Sequence, residues 1–367
     1  MRRVAEGAAR RFSFIEPEED QTMTRLAALA LITLALAACE QAPPPGLPAR
    51  EVTAAAETAR VAGSGDAADD PAVWAAPDPA DSLVLGTDKT AGLYAFNLDG
   101  SIAQRLPVGR LNNVDVRGGF MAGDREMAIV AASDRTNIAI AYFLIDPATR
   151  EIAPAGRTPL DLVDPYGACL YVSPVDGAHY AFVNDQESTD MVQLRLSWDG
   201  AGVTGEPVRR FTIGTQPEGC VADDRTAELY VGEEAVGVWR YGAEPGDGEA
   251  RTLFAEADGD RIVPDVEGLA IWPQGETGGY LFASSQGDSA YAVYELETGA
   301  YVERFRIADG TVDATTETDG IEVFAGDLGP AFPQGVFVAQ DDADDSGGQN
   351  FKIVDLADIA PLLDPAE

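Results

Sequence analysis

Internal repetition is the feature that most constrains this chain. A polar residue, then a small or turn-forming residue, then alternating apolar positions recur six times. The copies are Asp70-Pro71-Ala72-Val73-Trp74, Asn113-Val114-Asp115-Val116, Tyr166-Gly167-Ala168-Cys169-Leu170, Glu218-Gly219-Cys220-Val221, Glu267-Gly268-Leu269-Ala270-Ile271 and Asp319-Gly320-Ile321-Glu322-Val323. Their lead residues are spaced 43, 53, 52, 49 and 52 positions apart. A period of about 50 residues fits one four-stranded blade of a β-propeller, a unit that buries its apolar faces only by stacking on its neighbours. About twenty residues after each copy comes an apolar strand with a polar tip: Leu83 to Lys89, Ala128 to Arg135, Tyr180 to Gln186, Leu229 to Glu234, Tyr280 to Gln286 and Val336 to Asp341. No long helical period interrupts them. The expected fold is all-β, a six-bladed β-propeller over residues 55–362, with a strand from Val52 to Val61 closing the ring. A β-sandwich would show regular strands but seldom six matched copies.

The N-terminal forty residues read as addressing. Thr24-Arg25 precedes the apolar run Leu26 to Ala38, which is too short to span a membrane comfortably and ends at Cys39. The ending Leu36-Ala37-Ala38-Cys39 resembles a bacterial lipobox, which implies lipid on Cys39 and an exported lipoprotein anchored at the outer membrane. Met23 is the expected start, with residues 1–22 a spurious extension. Residues 40–54, rich in proline from Gln41 to Pro48, read as a tether.

Composition excludes several chemistries. A single histidine, His179, lies in a turn-like stretch and is read as a surface residue; one histidine builds no His-rich zinc site. No Gly-x-Ser-x-Gly elbow, Arg-His-Gly run or Cys-x5-Arg loop is present. Lys and Arg total 25 against 62 Asp and Glu, a formal net charge of -37, so nucleic acid and anionic surfaces should be repelled. Cys169 and Cys220 occupy matching places in adjacent repeats and could be neighbours. Export permits a disulfide, but buried free thiols are the preferred reading.

In a propeller, equivalent residues of successive blades ring one channel mouth. The leads Asp70, Asn113, Tyr166, Glu218, Glu267 and Asp319 and the tips Asp88, Asp134, Asp185, Glu234, Gln286 and Asp341 would crowd carboxylates together. Such crowding requires protonation or bound cations. Oxygen-only ligands favour calcium, with magnesium the nearest competitor. The tail Asp341 to Gly347 is not an EF-hand, since Ile353 stands where the twelfth-position glutamate belongs; it is either a local calcium site or a solvated loop. Lys89, Arg135 and nearby Arg110 are cations among the acids, suited to gripping phosphate or to pairing with a neighbouring carboxylate.

The stretches Asp66 to Trp74, Gly109 to Arg117, Glu218 to Asp224, Asp265 to Leu269, Ala283 to Gly287, Thr318 to Ile321, Phe337 to Asp341 and Gln349 to Lys352 together resemble the β-propeller phytases. The resemblance runs from about residue 55 to 360. It implies a six-bladed propeller with structural and active-site calcium ions, acting on phytate as its calcium complex. The calcium ligands it implies are Asp69 or Asp70, Glu218, Glu234, Asp265, Glu267, Gln286 and Asp319, with Lys89, Arg135 and Tyr166 on substrate phosphates; Asp341 joins the metal set as a strand-tip carboxylate. Thr90 and Gln186 stand where that family often has lysine, which removes positive charge from the phosphate site.

The expected reaction is phosphomonoester hydrolysis by metal-activated water, with Glu218 or Asp265 orienting the water and no covalent nucleophile. A propeller lactonase or esterase, or a non-catalytic propeller lipoprotein, are the alternatives; neither calls for Lys89 and Arg135 beside a carboxylate ring. Nothing in the sequence demands more than a monomer.

Overall fold

The computed structural model describes residues 46–344 and 347–363. The expected leader with Cys39, residues 40–45 of the tether, and Asp345 and Ser346 of the acidic loop lie outside the described residues. Among the described residues no helix is long and apolar enough to cross a membrane.

Six sheets form the six blades, antiparallel apart from one added edge strand in blade five. Their innermost strands are Ala68–Trp74, Leu111–Ala122, Pro165–Val172, Pro217–Asp223, Val266–Gln274 and Ile321–Ala325. Blades one to four each run consecutively through four strands. Blade six takes three strands from the C-terminal end and its outermost, Ala56–Glu57, from near the start of the described chain, where Ala56 pairs with Ile353. This closes the ring as expected, since the ends of the propeller are zipped into one sheet. Arg50–Thr53, which the sequence assigns to the tether, instead pair in parallel with Tyr301–Ala308 on the edge of blade five. The only α-helix among the described residues is Leu356–Leu363, which packs Leu356, Ile359 and Leu363 between blades five and six.

The core is six interblade seams. Leu83 and Leu85 pack towards blade two, while Val84 between them packs towards blade six. Each middle strand therefore buries both faces, so its alternation is between two apolar seams rather than between core and water. His179 belongs to such a seam, contrary to the surface position expected for it. The residue is 8% exposed; its ring meets Phe120 edge-on and places Nε2 2.9 Å from the Gly118 carbonyl oxygen.

Cys169 and Cys220 form a disulfide between the inner strands of blades three and four, with Cα atoms 5.7 Å apart. This corrects the expectation of free thiols. Other seams place apolar pairs such as Ala72 with Val114, or Val221 with Leu269, in the corresponding inner-strand positions. The bridge closes a loop across 51 residues of sequence separation. Cys169→Ala/Cys220→Ala should therefore lose about 2–4 kcal/mol of stability. Calorimetry of wild type with and without reductant checks this: reductant should lower the wild-type Tm towards the variant's and leave the variant unmoved.

Candidate active site

The mouth is built by one local device repeated around the ring. In blades one to five the start of the inner strand pairs with the end of the next: Ala68 with Asp88, Leu111 with Asp134, Pro165 with Asp185, Pro217 with Glu233 and Val266 with Ser285. A register break follows every pair, so the next residue is pushed out of the ladder. Those residues are Asp69, Asn112, Tyr166, Glu218 and Glu267, and Asp319 occupies the place in blade six. The sequence register was therefore one residue late in the first two blades, which lead with Asp69 and Asn112 rather than Asp70 and Asn113. In blades three to six a glycine follows, because the next blade crosses there: a Cβ at Gly219 would meet the Glu267 carbonyl oxygen at 2.2 Å. Asp70 fills that position in blade one. It turns to the next blade, where Oδ2 accepts the Val114 amide at 3.0 Å.

The strand tips divide in the same way. Asp88, Asp134, Asp185, Glu233 and Asp341 are buried acceptors for turns. Asp185, for example, accepts the Val163 and Asp164 amides at 2.6 and 3.1 Å. Asp341 accepts the Thr316 amide and ion-pairs with Lys352 at 3.1 Å. The residues one step later, Lys89, Arg135, Gln186, Glu234 and Gln286, donate their amides to Ala67, Arg110, Asp164, Gln216 and Asp265. This bond brings a third set of side chains to the rim.

A cavity of about 290 Å³ is lined by Lys89, Tyr166, Glu218, Glu234, Asp265, Glu267, Gln286 and Asp319. These are eight of the residues expected at the site. Asp69 lies buried beside it, against Lys89. Arg135 is not itself in the lining but packs on a lining residue, its guanidinium 5.4 Å from the centre of the Tyr166 ring. Asp70, Asp341 and exposed Arg110 are not brought to the lining; Asp70 instead lines a second cavity further along the channel. The lining also holds Asp66, Gln216 and Glu317, which were not expected at the mouth, and Asp342, which was expected only in the separate acidic loop. For Gln216 and Asp342 the signal was available, since they fall at rim and tip positions once the repeats are aligned on the glycine.

The carboxylates are mutually unfavourable. Glu218, Glu234 and Glu267 each bring an oxygen within 4.8 Å of the others. Burial, then the nearby Asp265 charge, pushes Glu234 up to about 7. Burial also raises Asp319 to about 7 against the opposing pull of Lys89. Glu267 lies well above the usual carboxylate range, through burial and then Asp319 and Asp69. Lys89 is the counterweight, with Nζ at 2.7 Å from Asp66, 2.9 Å from Asp69 and 3.0 Å from Asp319. Burial alone would depress it, but these three acids hold it above the ordinary lysine range.

The donor set fits a hard divalent cation. Asp69 Oδ2 and Glu267 Oε2 are buried without a hydrogen-bond partner among the described residues. Asp69 Oδ1 meets Lys89 as an ion pair at 2.9 Å but outside hydrogen-bond geometry. Buried acceptors without donors are costly in a protein and suit a cation. Every lining carboxylate or amide offers oxygen, and no sulfur or imidazole intrudes.

Comparison with known proteins agrees with this geometry. The chain is 40% identical over 327 residues to a 3-phytase of Bacillus subtilis (strain 168), covering 85% of each. Among solved structures, a hydrazine synthase chain of Kuenenia stuttgartiensis shares 12% identity at a TM-score of 0.49, covering 77% of this chain and 83% of that one. That likeness is too slight to carry any argument. The phytase family model matches residues 21–366, and the chain belongs to the phytase family.

Proposed function

We propose that this phytase is calcium-dependent and hydrolyses the phosphate monoesters of phytate, taken as its calcium complex, to lower inositol phosphates and phosphate. The observation that carries the calcium dependence is the set of buried, donor-less oxygens of Asp69 and Glu267 inside a ring of carboxylates. A polyanionic substrate would be repelled from such a mouth unless cations reversed its field.

Glu218, Glu234, Asp265, Glu267, Asp319 and Gln286, with Asp69, would hold the calcium ions. Bound calcium supplies positive charge to phosphate oxygens and acidifies water. Lys89 and Arg135 place fixed positive charge beside the same cavity, where it stabilises negative charge building on the phosphoryl oxygens. Glu218 or Asp265 would orient the attacking water. Tyr166 gives a rigid wall on which Arg135 rests. Gln186 and Thr90 contribute no charge, and Thr90 is turned away, its hydroxyl 2.6 Å from Asp88. The phosphate grip on this side therefore depends on Lys89 and Arg135.

Purified residues 40–367 should release phosphate from phytate in calcium, lose that release on chelation, and regain it when calcium returns. Full activity after chelation would sink the calcium dependence. We also propose that the protein is exported and lipid-anchored through Cys39. Palmitate labelling of the full chain should disappear in Cys39→Ser, and labelling that persists would place any lipid elsewhere.

A further inference from the structure

The contacts of Arg135 point to a residue outside the cavity lining, Asp164. Arg135 Nε donates to Asp164 Oδ1 at 2.8 Å, and Nη2 donates to Asp164 Oδ2, a two-bonded fork. Nη2 also donates to Gln186 Oε1 at 2.9 Å, and Nη1 to Asn112 Oδ1 at 3.1 Å. Among the described residues, four of the five guanidinium N–H groups are thereby committed. The side chain is 13% exposed and rests on Tyr166. An arginine held in this way cannot offer a phosphate the usual two-bonded fork. It can offer one Nη1–H and a fixed charge.

Asp164 is itself anchored. Its amide, with that of Val163, is held by the buried Asp185 carboxylate, and its carbonyl accepts the Gln186 amide at 3.1 Å. The fork therefore joins the Arg135 head group to the backbone of the adjacent blade. Arg135 directly follows the second strand of blade two, and Asp164 lies at the rim of blade three. Without the fork, a long side chain would be free to point elsewhere, and that freedom must be lost on binding.

We propose that Asp164 is a positioning residue for the phytase reaction, aiming the Arg135 guanidinium at the substrate phosphate without touching substrate itself. The proposal rests on the reading of Arg135 as a phosphate-binding cation. The carboxylate does this at a cost, since it partly offsets the charge it positions. Asp164→Ala thus frees Arg135 and loses its aim, and Asp164→Asn keeps part of the aim while unmasking charge.

The test is a double-mutant cycle on phytate hydrolysis with calcium present, measuring kcat and KM for wild type, Arg135→Ala, Asp164→Ala, the double variant and Asp164→Asn. Arg135→Ala should lower kcat/KM about 100-fold, and Asp164→Ala about 10-fold with the larger share in KM. The double variant should be no worse than Arg135→Ala, because the two residues act as one unit. Asp164→Asn should recover part of the loss, and Tm should change little, since the Asp164 side chain is 25% exposed. Multiplying effects, or an equal loss in the Arg135→Ala background, would overturn the positioning role. An unchanged Arg135→Ala would instead overturn the reading of Arg135 on which it rests.

Discussion

Glu267→Gln should nearly abolish phosphate release while making the metal-free protein harder to unfold. The residue is 4% exposed, its Oε2 has no donor among the described residues, and Asp319 and Asp69 repel it. Folding without a cation must therefore desolvate this group and either hold it charged or protonate it. Glutamine keeps the shape, removes the charge and brings an N–H2 into a cavity rich in acceptors. The gain should be about 1–3 kcal/mol, the scale of a buried polar group left unsatisfied. The same change weakens the calcium cage and the field it serves. Activity should fall by about 10²–10³-fold, as when one preorganised charge-stabilising group is lost. Assays in calcium and thermal melts in chelator check the two halves separately. A lower metal-free Tm than wild type would show that Glu267 is held by interactions other than those described.

The cavity also sets a pH dependence for the metal-free state. Glu234 and Asp319 stay protonated in the folded chain to about 7, against ordinary values of 4.5 and 3.8. Between those limits the folded state binds more protons than the unfolded one, so stability falls as pH rises. Calcium ligation requires deprotonated carboxylates and opposes that fall. Melts in chelator should thus be higher at pH 5 than at pH 8, and excess calcium should reduce or reverse the difference.

The architecture was legible because a blade is a repeated unit, and repetition survives in one sequence. The ring leads of blades three to six were legible for a steric reason, the glycine that lets the next blade cross. Asp69 and Asn112 were not, because Asp70 and Asn113 replace that glycine and look equally suited to lead. The strand tips misled for a related reason. Asp88 and Lys89 are adjacent and both polar, yet strand alternation sends one into a buried turn and the other to the mouth. Asp341 was misplaced in this way. The disulfide was ambiguous because a thiol pair and a bridged pair fill one seam alike; the structure joins the two sulfurs, with Cα atoms 5.7 Å apart, a spacing the sequence does not carry. Asp164 shares the rim position of Gln216 and Asp265 three residues before the glycine, so its place was legible; its role was not, because that depends on which neighbour the Arg135 fork meets.

Lys89→Met should also destroy activity, but with the opposite effect on metal-free stability. Lys89 is the cation that Asp66, Asp69 and Asp319 share within 3.0 Å, and its side chain is 13% exposed. Asp69 and Asp319 have side chains only 1% and 11% exposed, so removing Lys89 leaves them with little solvent and no countercharge. Breaking a buried ion pair from one side costs about 3–5 kcal/mol. The loss should be largest at pH 8, where protonating the stranded carboxyls is hardest, and smaller at pH 5. Excess calcium should restore part of it, because a divalent cation can take over the compensation. It should not restore activity, which needs a charge on the phosphate side; a loss of about 10²–10³-fold is expected. Activity alone cannot separate the two variants, since both disable one cavity. Stability in chelator can, because Glu267→Gln removes a surplus negative charge and Lys89→Met removes the charge that balances it. If Lys89→Met melted with wild type in chelator at pH 8, Lys89 would not be the counterion that its three short contacts imply.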